Sequence, residues 1–308
     1  MHFLRAKKAI YALTAAACRR KMEEETMGAS QMIQTIKTPW IIFSSFLKKI
    51  YIQRGLIKNF VIRDLRSRYI GSFMGFFWSV IHPIVLIVSY TFVFAVVFRV
   101  RPIPVSGTDN FPLFLFCGIL PWLLFSDTLI RSSTAILDNS NLITKTLFPS
   151  EILPLTILLS GLVNHAIGFG ILLVMLLWVV GKVSVFILLI PVYLFFLMLF
   201  TLGLSWLVSG LNVFVRDVSQ ILSVILTFWF WFTPIFFAPE QIKNLPWLLN
   251  LMRFNPLAHV VLGYRNCILR NQMLPTDSLL ILAVSSLLIF VLGGLFFRNI
   301  KREFVDVL

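Results

Sequence analysis

Charged side chains are scarce in this sequence. Asp, Glu, Lys and Arg make up 13% of its 308 residues, against roughly 25% in a soluble domain. Six stretches hold none at all: 71–98, 111–126, 152–181, 183–215, 218–239 and 278–297. With 58% hydrophobic residues, this excludes a soluble single-core fold and an intrinsically disordered chain. Cysteine is scarce too. Cys18, Cys117 and Cys267 lie in separate regions, with neither metal-ligand spacing nor an even set for a disulfide scaffold. No G-x-x-x-x-G-K-[ST] occurs: Gly181-Lys182 is followed by Val183 and lacks the upstream glycine. Without that phosphate cradle, any ATP-driven work needs a second subunit. H-E-x-x-H, a paired-Asp motif and fixed-period repeats are also missing.

What is present are apolar runs long enough to cross a bilayer, since about 20 residues of helix span roughly 30 Å of hydrocarbon. The runs are continuous, which favours helices over the alternating strands of about ten residues in a membrane barrel. The expected fold is all-α and integral to the membrane, with six transmembrane helices. The second helix extends past Asp127 and Arg131 to about Ile136, and the third and fourth are long. Pro234, Pro239, Pro246 and Pro256 break the 240–276 stretch into short helices before the last span. Residues 1–53 read as a loosely ordered cytoplasmic extension. There the Ala9–Cys18 run imitates a signal core, but Arg19-Arg20-Lys21 and Glu23-Glu24-Glu25 follow directly. Residues 54–70 read as an interfacial helix, 71–298 as the six-span domain and 299–308 as a cytoplasmic tail.

An even number of spans puts both termini on one side. That side holds 20 of the 27 Lys and Arg residues, 14 of them before residue 75. The positive-inside bias makes it the cytoplasm. Most of the net charge of +14 is therefore a topology signal and not a nucleic-acid footprint.

Four features carry possible function. Residues 56–69 (LIKNFVIRDLRSRY) place Leu56, Ile57, Phe60, Val61, Leu65 and Tyr69 at helical spacing among basic residues. This is an amphipathic helix in the headgroup plane. It reads either as a lipid anchor or as a gate whose Arg63, Arg66 and Arg68 meet a substrate phosphate. In the loop after span two, Ser140 or Asn141 caps a short helix reaching about Phe148, where Pro149 stops it. Its apolar side, with Leu142, Ile143, Leu147 and Phe148, suits docking in a partner's cleft. Buried polar pairs form a third group. Asp127 and Arg131 pair at i, i+4, His82-Pro83 sits at a kink in span one, and Asn164-His165 offers an interhelical hydrogen bond. The same Asn164-His165 pair is the basis of the competing class, an integral-membrane glycosyl- or acyl-transferase.

The fourth feature is aromatic. Phe alone occurs 31 times, and 228–237 places seven aromatics in ten residues. Tyr90, Phe94 and Phe98 form an i, i+4, i+8 ridge, while Phe114, Trp122 and Phe125 share a face of span two. Such rings are either lipid-facing filler or a wall on which sugar rings stack without fixed hydrogen bonds.

The run Arg63-Asp64-Leu65-Arg66-Ser67-Arg68-Tyr69-Ile70-Gly71-Ser72-Phe73-Met74-Gly75-Phe76-Phe77-Trp78, followed by Pro83, resembles the start of a known family. It looks like the permease of type-2 ABC exporters that move O-antigen, capsular polysaccharide or teichoic acid. Asn141-Leu-Ile-Thr-Lys-Thr-Leu-Phe-Pro149, Asn212-Val-Phe-Val-Arg216-Asp217 and Phe254-Asn255-Pro256-Leu257 agree with it, in order, over about residues 55–300.

The resemblance implies a transport subunit in the cytoplasmic (inner) membrane. It would work as a homodimer bound to two copies of an ABC ATPase that holds the ATP and Mg. Its substrate would be a polyprenyl-diphosphate-linked polysaccharide. Arg63, Arg66, Arg68 and Tyr69 would meet the diphosphate at the gate. Asn141, Leu142, Lys145, Leu147, Phe148 and Pro149 would dock the ATPase. Trp78, Tyr90, Phe94, Phe98, Phe114, Trp122, Phe125, Phe228, Phe232 and Phe236 would line the channel. A drug, lipid or haem exporter permease is the alternative within the same superfamily.

Overall fold

The structure is a computed structural model that describes residues 50–69, 77–99, 107–145, 148–273 and 275–308. Most of the N-terminal extension (1–49) and the glycine-containing 70–76 stretch lie outside the described residues. Among those described, every regular element is helical.

Helix α1 (Arg54–Tyr69) precedes α2 (Trp78–Thr91), which continues as a π-helical turn over Phe92–Val97. Helix α3 (Phe111–Asp138) starts where Asn110 Oδ1 accepts the Leu113 amide at 3.0 Å, satisfying one of the donors a helix start leaves open. Short α4 (Ser140–Lys145) leads to α5 (Ile152–Val180), which ends at Gly181 in the left-handed region (φ 70°). Then come α6 (Ile190–Phe214), α7 (Val218–Phe232), α8 (Pro246–Phe254), α9 (Pro256–Arg265), α10 (Thr276–Ile300) and α11 (Phe304–Val307).

Among the described residues, five helical stretches are long and apolar enough to cross a membrane: Trp78–Val97, Phe111–Asp138, Ile152–Val180, Val185–Phe214 and Thr276–Ile300. The expected fifth span, 218–239, is shorter than its apolar run. Helix α7 has 15 residues and stops at Phe232, about 22 Å at 1.5 Å per residue. Pro234 sets that end: a residue before proline is driven out of the α region, and Thr233 has ψ 136°. The loop helix α4 also ends early, at Lys145; residues 146–147 are outside the described set, and Phe148 and Pro149 are not helical.

Helix α3 is buried around most of its circumference, as expected of a central helix that is apolar on all sides. It packs against α5, α6, α7 and α9. Helix α2 is the opposite case, with Ile87 alone buried in its α-helical part. Between α6 and α10 the backbones touch. A Cβ on Gly203 would lie 2.5 Å from the Ile289 carbonyl oxygen, and one on Gly293 would collide with the Gly203 backbone. Close approach through small residues is a common way for membrane helices to gain dispersion contact.

Beyond α7, residues 233–238 leave the helix, and their carbonyls need donors from elsewhere. Arg265, at the end of α9, supplies them. Its Nη1 donates to Pro234 O at 2.6 Å and Phe237 O at 3.2 Å, Nη2 to Ile235 O at 2.5 Å, and Nε to Phe114 O at 3.3 Å. The guanidinium also lies 3.5 Å over the Phe114 ring, and Gly118 makes room for it: a Cβ there would be 2.9 Å from Nη2. In the sequence Arg265 is simply one of the seven Lys and Arg residues outside the 20 assigned to the cytoplasmic side. The proline-broken backbone was the signal that a fork of donors was needed. The α8–α9 turn closes in a similar way, with His259 Nε2 on the Arg253 carbonyl at 2.8 Å. Burial pulls that imidazole below its ordinary range, against the opposing pull of the carbonyl.

The two ends of the bundle differ. At one end Ser184 Oγ donates to Asn271 Oδ1 at 2.7 Å, and Gly107, held at φ +82°, sits against Leu269 and Arg270. At the other, Lys301 pairs with Glu151 at 3.3 Å and Trp206 Nε1 donates to the Glu151 carbonyl at 3.1 Å.

Two outcomes follow for stability in detergent. Gly203→Val forces α6 off α10 and should cost about 1–3 kcal/mol or more, read as a lower thermal midpoint; an unchanged midpoint would mean the helices are not in backbone contact. Arg265→Met keeps the apolar bulk but strands carbonyls in the interior, costing about 3 kcal/mol or more. A variant as stable as the parent would show that water or another donor caps the 233–238 segment.

Candidate functional site

Helix α1 forms over the predicted amphipathic stretch. Ile57 is buried, and Leu56, Phe60 and Val61 pack on the core. Its charged face is tied to the bundle by a four-membered network. Asp64 takes Arg131 of α3 on Oδ1, and on Oδ2 it takes Ser160 Oγ of α5 at 2.5 Å and Arg68 Nε at 3.4 Å. Asp127 takes Arg68 Nη2 at 3.2 Å and Arg131 Nη1 at 3.5 Å, both on Oδ2. The expected Asp127–Arg131 pair is therefore half of a neutral quartet. Its other half joins α1 to two further helices, residues 67 and 96 positions apart, which local spacing could not reveal.

The four proposed phosphate-contacting residues fall into different settings. Arg68 is engaged inside the quartet. Arg63 lies at the surface, donating from Nη2 to Asn139 Oδ1 at 3.1 Å and stacking 4.2 Å over its own helix's Phe60 ring. Arg66 is exposed. The side chain of Tyr69 is outside the described residues. Beneath this face of α1 lies a cavity of about 460 Å³ bordered by Arg63, Asp64, Arg68, Arg131 and Asp138.

The loop helix α4 begins on Asn139, whose carbonyl accepts the Leu142 and Ile143 amides at 3.0 and 3.2 Å, while its Nδ2 donates to Ala135 O at 2.9 Å. Ile143 is buried; Asn141 and Lys145 are exposed; Leu142, Phe148 and Pro149 are half-buried. Leu147 is outside the described residues. Phe148 packs its ring 5.2 Å from Phe60. Together with Arg63–Asn139, this contact joins the loop helix to α1 across 76 positions of sequence. The tail helix α11 also lies against α4, with Phe304 buried between Phe214 and Phe297.

The aromatics of α2, α3 and α7 make one continuous cluster. Phe94 stacks on Phe236 at 4.6 Å, Tyr90 meets Phe236 at 5.1 Å, Trp122 meets Phe230 at 5.3 Å and Phe125 meets Trp229 at 5.3 Å. Phe114, Trp122, Phe125 and Phe236 are buried within the protomer, whereas Trp78, Phe98, Phe228 and Phe232 are exposed. Tyr90 and Phe94 are half-buried. The Asn164-His165 pair does place a hydrogen bond between helices: His165 Nε2 and the Tyr264 hydroxyl are 3.0 Å apart. Among the described residues no group of His, Cys, Asp and Glu is arranged to hold a metal.

Comparison with known proteins gives the family. The profile of the ABC-2 type transporter family matches residues 55–269. The O-antigen export system permease protein RfbA of Myxococcus xanthus is 30% identical over 264 residues, covering 84% of this chain and 98% of the relative. A protein of the same name from Klebsiella pneumoniae is 31% identical over 250 residues, 80% of this chain and 92% of its own length. The polysialic acid transport protein KpsM of Escherichia coli is 25% identical over 254 residues, 80% and 94% of the two chains. On a family match spanning the interfacial helix, the first four long apolar helices and most of the proline-broken segment, this chain belongs to the ABC-2 type transporter membrane family.

Proposed function

We propose that this chain is the permease subunit of an ATP-driven exporter that carries a lipid-linked polysaccharide, of the O-antigen or capsular kind, across the cytoplasmic membrane. The observation that carries the reading is the near full-length match to relatives named as export permeases for O-antigen and as a polysialic acid transporter. These names favour a glycan over the drug, lipid or haem alternatives. They also favour transport over a transferase built on His165, whose Nε2 is engaged with Tyr264.

In this reading the chain acts as a homodimer with two copies of a separate ATPase, which binds ATP and Mg. Helix α7 and the 233–238 segment complete a sixth crossing, so that both termini are cytoplasmic. Asn141, Leu142, Lys145, Leu147, Phe148 and Pro149 dock the ATPase. Closure of the ATPase dimer shifts α4, and the Phe148–Phe60 and Arg63–Asn139 contacts pass that shift to α1. Arg63 and Arg66, on the outward face of α1, meet the substrate diphosphate, with Tyr69 beside them, while Arg68 holds the helix in place through the quartet. Exposed Phe98, Phe228 and Phe232 supply the sliding wall. The rings packed beneath them, half-buried Tyr90 and Phe94 and buried Phe114, Trp122, Phe125 and Phe236, stiffen it.

Two measurements test this. Leu142→Asp combined with Phe148→Asp should reduce ATPase co-purified from detergent about tenfold or more, as expected for losing central apolar contacts of an interface. Wild-type recovery would remove the docking role. Arg63→Ala with Arg66→Ala should lower surface glycan several-fold at unchanged membrane insertion, through loss of charge-assisted bonds; undiminished export would exclude these two arginines from phosphate capture.

A further inference from the structure

A furrow between α2, α3 and α5 holds two cavities in succession. The first, about 390 Å³, is lined by Arg68, Trp78, His82, Asp127 and Asn164 among others. The second, about 430 Å³, is apolar, lined by Ile87, Val88, Phe92, Phe116, Ile171 and Met175. On each helix the second cavity begins within about two turns of the first: Pro83 and Ile84 on α2, Leu120 and Phe116 on α3, His165 and Ile171 on α5. The pair therefore lies end to end along the side of the bundle, polar at one end and greasy at the other.

Its depth follows from the quartet. Four charges are expensive in hydrocarbon, so Asp64, Arg68, Asp127 and Arg131 mark the headgroup plane. From Asp127 to Phe111 is 16 residues of α3, about 24 Å at 1.5 Å per residue, close to the roughly 30 Å of a hydrocarbon core. Phe116 lies 11 residues from Asp127, about 16 Å, which is near the bilayer midplane. A molecule with its head in the first cavity would thus rest its tail in the second for the depth of one leaflet.

The chemistry of the head end is specific. The quartet is electrically neutral, and its two members that border the cavity, Arg68 and Asp127, have capacity left. Both arginines reach Asp127 through Oδ2, and the Asp127 side chain, which borders the cavity, is 45% exposed. Arg68 donates Nη2 to Asp127 and meets Asp64 through Nε only as an ion pair at 3.4 Å, while a guanidinium carries five N–H donors in all. His82 is exposed beside them. A purely anionic head would face the Asp127 carboxylate, and a quaternary ammonium has no N–H to offer it. A head carrying both a primary ammonium and a phosphate matches both signs.

We propose that this furrow is a binding site for a diacyl phospholipid with a phosphoethanolamine head. The ammonium donates to Asp127 Oδ1, the phosphate accepts from Arg68 and His82, Trp78 sits at headgroup level, and one acyl chain occupies the apolar cavity. The site does not depend on which substrate the protein exports.

The test is native mass spectrometry of the full chain from nanodiscs of palmitoyl-oleoyl phosphatidylethanolamine, phosphatidylcholine or phosphatidylglycerol. Retention of phosphatidylethanolamine should exceed that of the other two about tenfold, the size of one charge-assisted hydrogen bond. Asp127→Asn should abolish the preference. Because that change also touches the quartet, His82→Gln and Met175→Trp serve as independent variants. The first should weaken retention of phosphatidylethanolamine and phosphatidylglycerol alike, and the second should expel all three by filling the tail cavity. Equal retention of the three lipids would overturn the proposal. So would a preference that survives Asp127→Asn, or retention unaffected by Met175→Trp. Displacement of the bound lipid by a polyprenyl diphosphate at equal concentration would assign the furrow to the export substrate instead and likewise overturn it.

Discussion

Inside a bilayer a peptide carbonyl cannot turn to water, and that constraint decides how this chain is built. Most of the backbone meets it by being helical. Among the described residues, the segment after α7 is an exception, because Thr233 and Pro234 end the helix where Thr233 and Ile235 are buried. One guanidinium closes that gap, binding three carbonyls of the break and a fourth on α3. In doing so, Arg265 ties α9 to the central helix and to the end of α7. The short helices that follow can then fold back onto the bundle without leaving polar groups stranded.

Charge acts at the other end in a different way. Asp64, Arg68, Asp127 and Arg131 cancel one another, so the quartet tethers α1 without giving its neighbourhood a net sign. Each member is partly solvated, so the pairs favour one arrangement more than they add stability, since ion pairs near solvent contribute little on balance. What they fix is the position of α1 against α3 and α5. From there Phe60 and Arg63 reach the loop helix, so one side of α1 is held by charge and the other by a ring contact and an amide.

Much of this could be read in the sequence because membrane helices announce themselves by composition alone. The charge-free runs located five long helices, and the alternation of Leu56, Ile57, Phe60 and Val61 with basic residues located α1. Shortfalls came where a distant partner or a backbone effect decides. Helix α7 ends seven residues before its apolar run does, because Pro234 overrides hydropathy. Arg265 looked like one more basic residue, since its acceptors are backbone atoms about 30 and 151 positions away. The aromatic pattern gave the right residues but not their exposure: Phe125 and Phe228 are equally aromatic in the sequence, yet one is fully buried and the other 64% exposed.

The contact between Gly203 and Gly293 divides the protein mechanically. Two helices whose backbones touch cannot slide or rotate past each other without collision, so α6 and α10 form a stator. Helix α2 has only Ile87 buried in its α-helical part, and α7 only Leu222 and Leu226; α2 rests on α3 and α5, and α7 on α3 and α6, through side chains that can change rotamer. Any rearrangement of the bundle therefore concentrates in the α2–α7 side, the side that carries the exposed rings.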